Sequence, residues 1–161
     1  MKTYAISALI CGLVLTGCGG GGGGGSSSSS VSSLSISGVA ATGAAISLGT
    51  VEVKCATGTG TATTNADGSY TVNVTNGAQP CILKATDPIT KLELYSIVEA
   101  GATTANITPV TNLVVANTLG DDPMAVFANF SSTAQAKVTT ANITTAVTRV
   151  QAITAALGSD A

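Results

Sequence analysis

The chain has 161 residues, a formal net charge of −2, few aromatic side chains and no histidine. The lack of histidine excludes Ser-His-Asp and Cys-His catalysis. A weakly acidic chain with few arginines is also a poor partner for nucleic acid or for an anionic membrane surface.

The first residues have the order of a secretory signal peptide. Lys2 supplies the positive charge, and residues 5–15 form an apolar stretch that is too short to span a bilayer. The run Leu15-Thr16-Gly17-Cys18 resembles the lipobox of bacterial lipoproteins. This resemblance implies that residues 1–17 are removed, that the Cys18 sulfur carries a diacylglycerol, and that the new N-terminus is acylated with a fatty acid such as palmitate. The alternative is an ordinary signal peptide with a chance cysteine.

The residues after Cys18 predict a tether. Residues 18–33 are almost only Gly and Ser, a composition that forms a flexible coil with an r.m.s. reach of roughly 20 Å. No Gly-Lys-Ser/Thr ending follows the glycines, which disfavours a phosphate-binding loop. By family resemblance, Gly19 rather than Asp after the lipidated cysteine favours the outer over the inner membrane. Two or more acyl chains would anchor the protein stably.

The cysteines predict one disulfide. Cys11 lies in the signal peptide and Cys18 is the predicted lipid site, so Cys55 and Cys81 remain. An even pair in an oxidising compartment indicates a disulfide. Two free buried thiols are the alternative, whereas a zinc site would lack further Cys or His ligands. We expect no metal and no cofactor.

Residues 34–107 show apolar positions with a period of two, which indicates half-buried strands. Turn residues separate the runs, so several short antiparallel strands predict a β-sandwich. The phase places both cysteines on inward faces, where they could join two strands across the core. The alternating positions are Leu34 and Ile36; Val51, Val53 and Cys55; Tyr70, Val72 and Val74; and Cys81, Leu83 and Ala85.

Five segments carry a family resemblance to the carboxypeptidase regulatory-like or transthyretin-like (prealbumin-like) β-sandwich. They are Ile36-Ser37-Gly38-Val39, Ala44-Ala45-Ile46, Val51-Glu52-Val53, Thr64-Asn65-Ala66-Asp67-Gly68-Ser69-Tyr70 and Pro80-Cys81-Ile82-Leu83-Lys84-Ala85. The resemblance covers residues 34–107 and implies a non-catalytic accessory or cell-surface module. It also implies a hairpin at Asp67-Gly68. A calcium loop is the alternative there, but only Asn65 offers a further ligand.

Residues 108–161 predict helices. Thr108-Pro109 is a plausible N-cap and first helical residue, and Gly120 ends that helix. Asp122-Pro123 predicts a short helix through about residue 130. Ser132-x-x-Gln135 predicts a capping box at the start of the last helix. We expect a two- to three-helix segment that covers the sandwich, or alternatively presents a partner interface. The expected apolar stripes are Val110, Leu113, Val114 and Asn117, and then Ile143, Val147, Val150 and Leu157.

The end of the chain carries a further expectation. Residues 106–111 resemble a junction in larger bacterial lipoproteins that continue further along the chain. The resemblance implies that the helical segment is truncated and that part of its apolar face is exposed.

No residues stand out as catalytic. The lysines lie in strand or helix patterns without a Ser-x-x-Lys motif, and Glu52 and Glu93 fall on outward strand faces, which indicates solvated surface. Asp121 and Asp122 precede a helix, where negative charge is favourable. We therefore predict an outer-membrane lipoprotein whose sandwich is a structural or protein-interaction module. The alternatives are an accessory subunit of an envelope enzyme and a carbohydrate- or peptidoglycan-binding module, which the scarce aromatics disfavour.

Overall fold

The computed structural model of the chain describes the backbone of residues 33–159 and the side chains of residues 33–156. The predicted signal peptide, Cys18 and the tether up to residue 32 lie outside the described residues. Within them, six strands precede four helices. The strands are β1 (Ser33–Val39), β2 (Thr50–Thr57), β3 (Thr59–Thr63), β4 (Ser69–Thr75), β5 (Ala78–Thr86) and β6 (Glu93–Val98), and the helices are α1 (Pro109–Leu119), α2 (Pro123–Ala128), α3 (Ser132–Lys137) and α4 (Thr140–Ser159).

The strands form two antiparallel sheets. One contains β1 and β4, and the other has the order β3-β2-β5-β6. Residues 103–107 run parallel to β1 along its other edge, where Ser37 N donates to Thr103 O (3.0 Å) and Ile107 N donates to Val39 O (2.9 Å). The predicted mainly β, sandwich-like fold with C-terminal helices is confirmed.

The strand register gives the sandwich two distinct ends. Ser33 lies opposite Thr75, and β5 begins at Ala78 after a short turn, so the described chain enters at this end, here called the entry end. Thr50 lies opposite Thr86 at the other end, here called the far end. A strand of this length spans roughly 25–30 Å, which is the separation of the two ends.

The first core fills the space between the sheets. The predicted inward positions of β2, β4 and β5 are buried, and the side chains at the outward positions of β4 are exposed. This alternation is what burial of a single sheet face requires. The largest fully buried side chains of this core are Ile36, Ile46, Val51, Val53, Val72, Val74, Leu83, Val98 and Ile107.

A second core lies on the opposite face of the four-stranded sheet. Ile82 and Tyr95 point outward from the sandwich and pack against the helices. Strand β5 is therefore buried on both faces at its centre, where Cys81, Ile82 and Leu83 are each fully buried. The helical side of this core consists of Val115, Leu119, Val126, Phe127 and Val138.

Helix α1 begins and ends where the sequence predicts. The Thr108 side chain accepts from Thr111 N, Pro109 is the first helical residue, and Gly120 ends the helix in a left-handed conformation (φ 67°). The local cap residues therefore set the length of this helix, as their chemistry requires.

The predicted stripe of α1 is wrong. Val110 and Leu113 are 54% and 47% exposed, and Val115 and Leu119 face the core instead. The reason lies in the first turn of the helix. Asn112 Oδ1 accepts from Tyr95 N (3.2 Å), and Thr111 Oγ1 donates to Tyr95 O (3.2 Å). These two bonds to β6 fix the rotation of α1 about its axis.

The predicted capping box at Ser132 is also wrong, and the segment contains four helices rather than two or three. Ser131 caps α3 by accepting from Ala134 N, and α3 ends at Lys137. Val138 leaves the helical conformation and is buried in the second core, after which α4 begins. Burial of one apolar side chain of this size contributes about 1.5–3 kcal/mol, enough to break a weak helix here.

Helix α4 buries the predicted seam in part. Val150 is buried, whereas Ile143 and Val147 are half-buried. Ala146, which the sequence analysis does not include, is buried beside them. The side chain of Leu157 lies outside the described residues.

Asp67-Gly68 forms the predicted tight turn but not the expected hairpin. Gly68 has a φ of 79°, and its N–H donates to Asn65 O (3.0 Å). The two flanking strands, β3 and β4, belong to different sheets. The turn therefore connects the two layers of the sandwich.

We predict that Gly38→Ala destabilises the fold. A β-carbon at Gly38 would lie 1.8 Å from Ala105 O, so residues 103–107 would have to move away from β1. We expect the free energy of unfolding to fall by about 2 kcal/mol, the usual cost of overpacking, in urea denaturation. Ser35→Ala on the exposed face of β1 is the control, and an equal loss in both variants would contradict the prediction.

Candidate functional site

The predicted lipid site and the predicted disulfide fall in different parts of the chain. Cys18 lies outside the described residues, and its role stays a prediction. Cys55 and Cys81 lie on β2 and β5 and form a disulfide with an S–S distance of 2.02 Å. The predicted pairing is therefore confirmed.

The position of the disulfide corrects one expectation. Cys55 and Cys81 are directly opposite each other on neighbouring strands of one sheet, so the bond does not cross the core between sheets. Both residues are buried on the inward face, as the strand phase predicts. The pairing of β2 with β5 is irregular between Cys55 and Thr57, so the disulfide lies next to a β-bulge in β2.

A cluster of charged side chains lies beneath the helices, on the outer face of the four-stranded sheet. Lys84 Nζ lies 2.6 Å from Glu52 Oε2 and 3.3 Å from Glu93 Oε1. Glu52 and Glu93 lie on the outward strand face, as predicted, with side chains 41% and 29% exposed. They flank Lys84, which is more covered because Phe127 lies above it with its ring centre 5.2 Å from Nζ.

The protonation of this cluster follows from its hydrogen bonds. The hydrogen bond from Tyr95 Oη (2.6 Å), and then the nearby Lys84, lower the pKa of Glu93. The hydrogen bond to Glu52 is the main cause that raises the pKa of Lys84. Burial, together with the same bond to Glu93, raises the pKa of Tyr95. The cluster therefore favours the charged forms of Lys84 and Glu93.

Lys54 connects this cluster to α2. Its Nζ donates to Phe127 O (2.9 Å) and lies 4.6 Å from the centre of the Phe127 ring. Tyr95 packs against the same ring, with 5.8 Å between the ring centres. These contacts fasten α2 to the sheet, so we assign the charged cluster a structural role.

Asp67 and Asp122 use their carboxylates to stabilise a turn and a helix cap. Asp67 Oδ1 accepts from Ser69 N (3.0 Å) and Ser69 Oγ (2.6 Å), and these bonds lower the pKa of Asp67. Asp122 Oδ1 accepts from Met124 N (3.0 Å) and caps α2, as predicted. The carboxylate of Asp67 is therefore used to build its own turn.

A groove of about 360 Å³ lies beside the charged cluster. Its lining combines Leu92 and Glu93 at the start of β6, Asn112 from α1, and Asp122 and Met124 at the start of α2. Sequence reasoning missed this groove because its walls come from three separate segments. The one signal in the sequence that could have indicated the groove is the position of two apolar residues, Leu92 and Met124, next to loops.

The described residues contain neither a metal-binding cluster nor a membrane-spanning helix. Across residues 33–159, no group of three or more Cys, Asp and Glu residues could hold a metal ion. No helix in that range is both long and apolar enough to cross a membrane. In comparisons with known proteins, no family model, no curated protein and no solved structure matches this chain.

We predict that Cys55→Ala/Cys81→Ala lowers the free energy of unfolding by about 3 kcal/mol. The disulfide closes a loop across a sequence separation of 26 residues, and its loss restores entropy to the unfolded chain. Urea denaturation of the variant and of the reduced native chain should give similar midpoints, both below that of the oxidised chain. A variant as stable as the oxidised chain would contradict this.

We predict that Tyr95→Phe raises the pKa of Glu93. The variant removes the donor that contributes most to the lowered value, while Lys84 remains. Carboxyl chemical shifts followed through a pH titration measure the change, and Tyr70→Phe in the first core is the control.

This lowered pKa also gives a direction for stability. A depressed pKa in the folded state stabilises the fold above the pKa of the unfolded chain, and that contribution is lost as pH falls through the folded value. Tyr95→Phe should therefore weaken the dependence of stability on pH in the acid range. An unchanged titration of Glu93 would contradict the assignment.

Proposed function

We propose that this chain is a bacterial lipoprotein, anchored by lipid on Cys18, that presents its sandwich as a non-catalytic protein-interaction module in the cell envelope. The observation that carries the proposal is the run Leu15-Thr16-Gly17-Cys18 followed directly by glycines and serines. The most plausible location is the outer membrane, since Gly19 follows the lipidated cysteine.

The Cys55–Cys81 disulfide supports an extracytoplasmic location. Disulfides persist in oxidising compartments such as the bacterial periplasm and the cell surface, and they are rare in the cytosol. The disulfide is buried in the first core, where it joins two strands. It therefore agrees with the export that the leader predicts.

The arrangement of the two ends supports presentation of a surface. The tether would join the domain at Ser33, at the entry end. The groove lined by Leu92 and Met124 lies beside the start of β6, at the far end. A domain held in this way would direct its groove away from the lipid to which it is attached.

Aromatic burial favours a protein partner over a sugar. Sugar sites commonly stack on exposed rings. Tyr70, Tyr95 and Phe127 are each buried, and Phe130 is half-buried against the second core. These four rings pack in the cores, so carbohydrate or peptidoglycan binding is the second candidate. A role as an accessory subunit of an envelope enzyme is the third.

We further propose that the sandwich is of the transthyretin-like type. The sequence motifs at residues 36–39 and 64–70 support this, together with two features of their backbone. Gly38 allows Ala105 O to approach β1 closely, and Gly68 provides the positive φ of the connecting turn.

The lipid anchor is tested by fatty-acid labelling in cells. We expect labelled palmitate on the native chain and complete loss of label in Cys18→Ala, because the thioether and the cleavage both need that cysteine. Cys11→Ala in the leader is the matched control and should keep the label. Label that persists in Cys18→Ala, or none on the native chain, would refute the anchor.

A further inference from the structure

Several large aliphatic side chains are exposed at the far end. Ile89 and Leu48 are 88% and 68% exposed, and both lie in loops at this end. Leu92 (46%) and Met124 (57%) are exposed in the nearby groove. Single exposed aliphatics need no explanation, but Leu92 and Met124 are exposed in one groove, and such a pairing marks a candidate interaction site.

The loop beside the groove is held in one conformation. Asp87 Oδ1 accepts from Ile89 N and Thr90 N, both at 2.8 Å, and Asp87 N donates to Leu92 O (2.9 Å). Lys91 Nζ donates to Pro88 O (2.7 Å). Ile89 and Leu92 are therefore presented on a hydrogen-bonded turn, which reduces the entropy lost on binding.

The edge of β6 beside the groove has backbone groups that find no partner among the described residues. Tyr95 N donates to Asn112 Oδ1, and Tyr95 O accepts from Thr111 Oγ1, so the backbone polar groups of Tyr95 face away from β5. Backbone groups in an antiparallel pair alternate with a period of two. The N–H and C=O of Glu93 therefore face the same way, whereas the hydrogen bonds from α1 go to Tyr95.

The groove also has an excess of negative charge. Glu93 and Asp122 line it together with a single cation, Lys91. Glu93 is paired with Lys84, whereas the described residues contain no ion pair to Asp122. A basic side chain next to Asp122 would complement the site.

We propose that this groove binds an extended segment of a partner polypeptide. The segment adds to the edge of β6 through the backbone of Glu93, places a large aliphatic side chain between Leu92 and Met124, and sets a Lys or Arg beside Asp122. An extended strand fits better than a helix, because only a strand can use the free N–H and C=O of the edge. The inference rests on the proposed interaction role and names the class of partner.

The test uses the full chain as isolated, acylated or not, in detergent micelles and a random peptide library displayed on phage. We expect selected peptides in which an aliphatic residue lies next to Lys or Arg, and we measure their affinity as synthetic peptides by fluorescence anisotropy. Met124→Ser should weaken binding about tenfold, as for a central apolar contact. Ile153→Ser is the matched control, because Ile153 is 52% exposed on α4 and does not line the groove.

Two further measurements test the pose. Asp122→Asn keeps the α2 cap but removes the charge, so it should weaken binding and flatten its salt dependence. Methylation of single peptide amides should weaken binding at alternate positions, because only every second amide of an added strand faces β6. An unaltered melting temperature in each protein variant shows that the fold persists.

The outcomes separate this proposal from the lipid anchor. Failure to select peptides, equal weakening by Met124→Ser and Ile153→Ser, or no alternation in the methylation series would overturn the groove proposal. The proposal would also be overturned if vesicles of phosphatidylethanolamine and phosphatidylglycerol, or a second copy of the chain, occupied the groove and displaced the peptide. None of these results depends on the acylation of Cys18, which the labelling experiment tests alone.

Discussion

Strand β5 lies between the two cores, and the other layers are arranged around it. Cys81, Leu83 and Ala85 pack toward β1 and β4, while Ile82 packs toward the helices. A sheet buried on both faces needs a covering layer on each side, and here the helices supply the second one by covering Ile82 and Tyr95. The sandwich and the helical segment therefore depend on each other.

Polar contacts decide how the helices lie on that sheet. Lys137 Nζ donates to Leu119 O at the end of α1, and Lys54 Nζ donates to Phe127 O at the end of α2. The last carbonyls of a helix are unpaired and carry partial negative charge, so a lysine from another element stabilises them. In a chain with so few charged residues, two lysines are used to fasten helix ends.

Local features of the fold could be predicted from the sequence. The period of two identified the buried positions of β2 and β4, and Thr108, Gly120 and Asp122 marked helix ends, because each of these depends on neighbouring residues alone. The Cys55–Cys81 pair followed from counting cysteines. Such features need no knowledge of the packing partner.

Features that depend on distant partners could not be predicted. The rotation of α1 depends on Tyr95 in strand β6, and the break before α4 depends on the burial of Val138 in the second core. The groove combines Leu92 with Met124, which no local pattern connects. The burial of Lys84 beneath Phe127 was missed for the same reason, since its strand position alone indicates a solvated face.

The place of the disulfide in the strand register has a consequence for how the chain reaches this fold. A slip of one residue between β2 and β5 would exchange their inner and outer faces and bring Lys84 into the first core. In the slipped pairing, Cys55 would no longer lie opposite Cys81, so the two sulfurs would not be positioned to join. Disulfide formation is therefore favoured only when β2 and β5 pair in the native register, and the bond then holds them in that register.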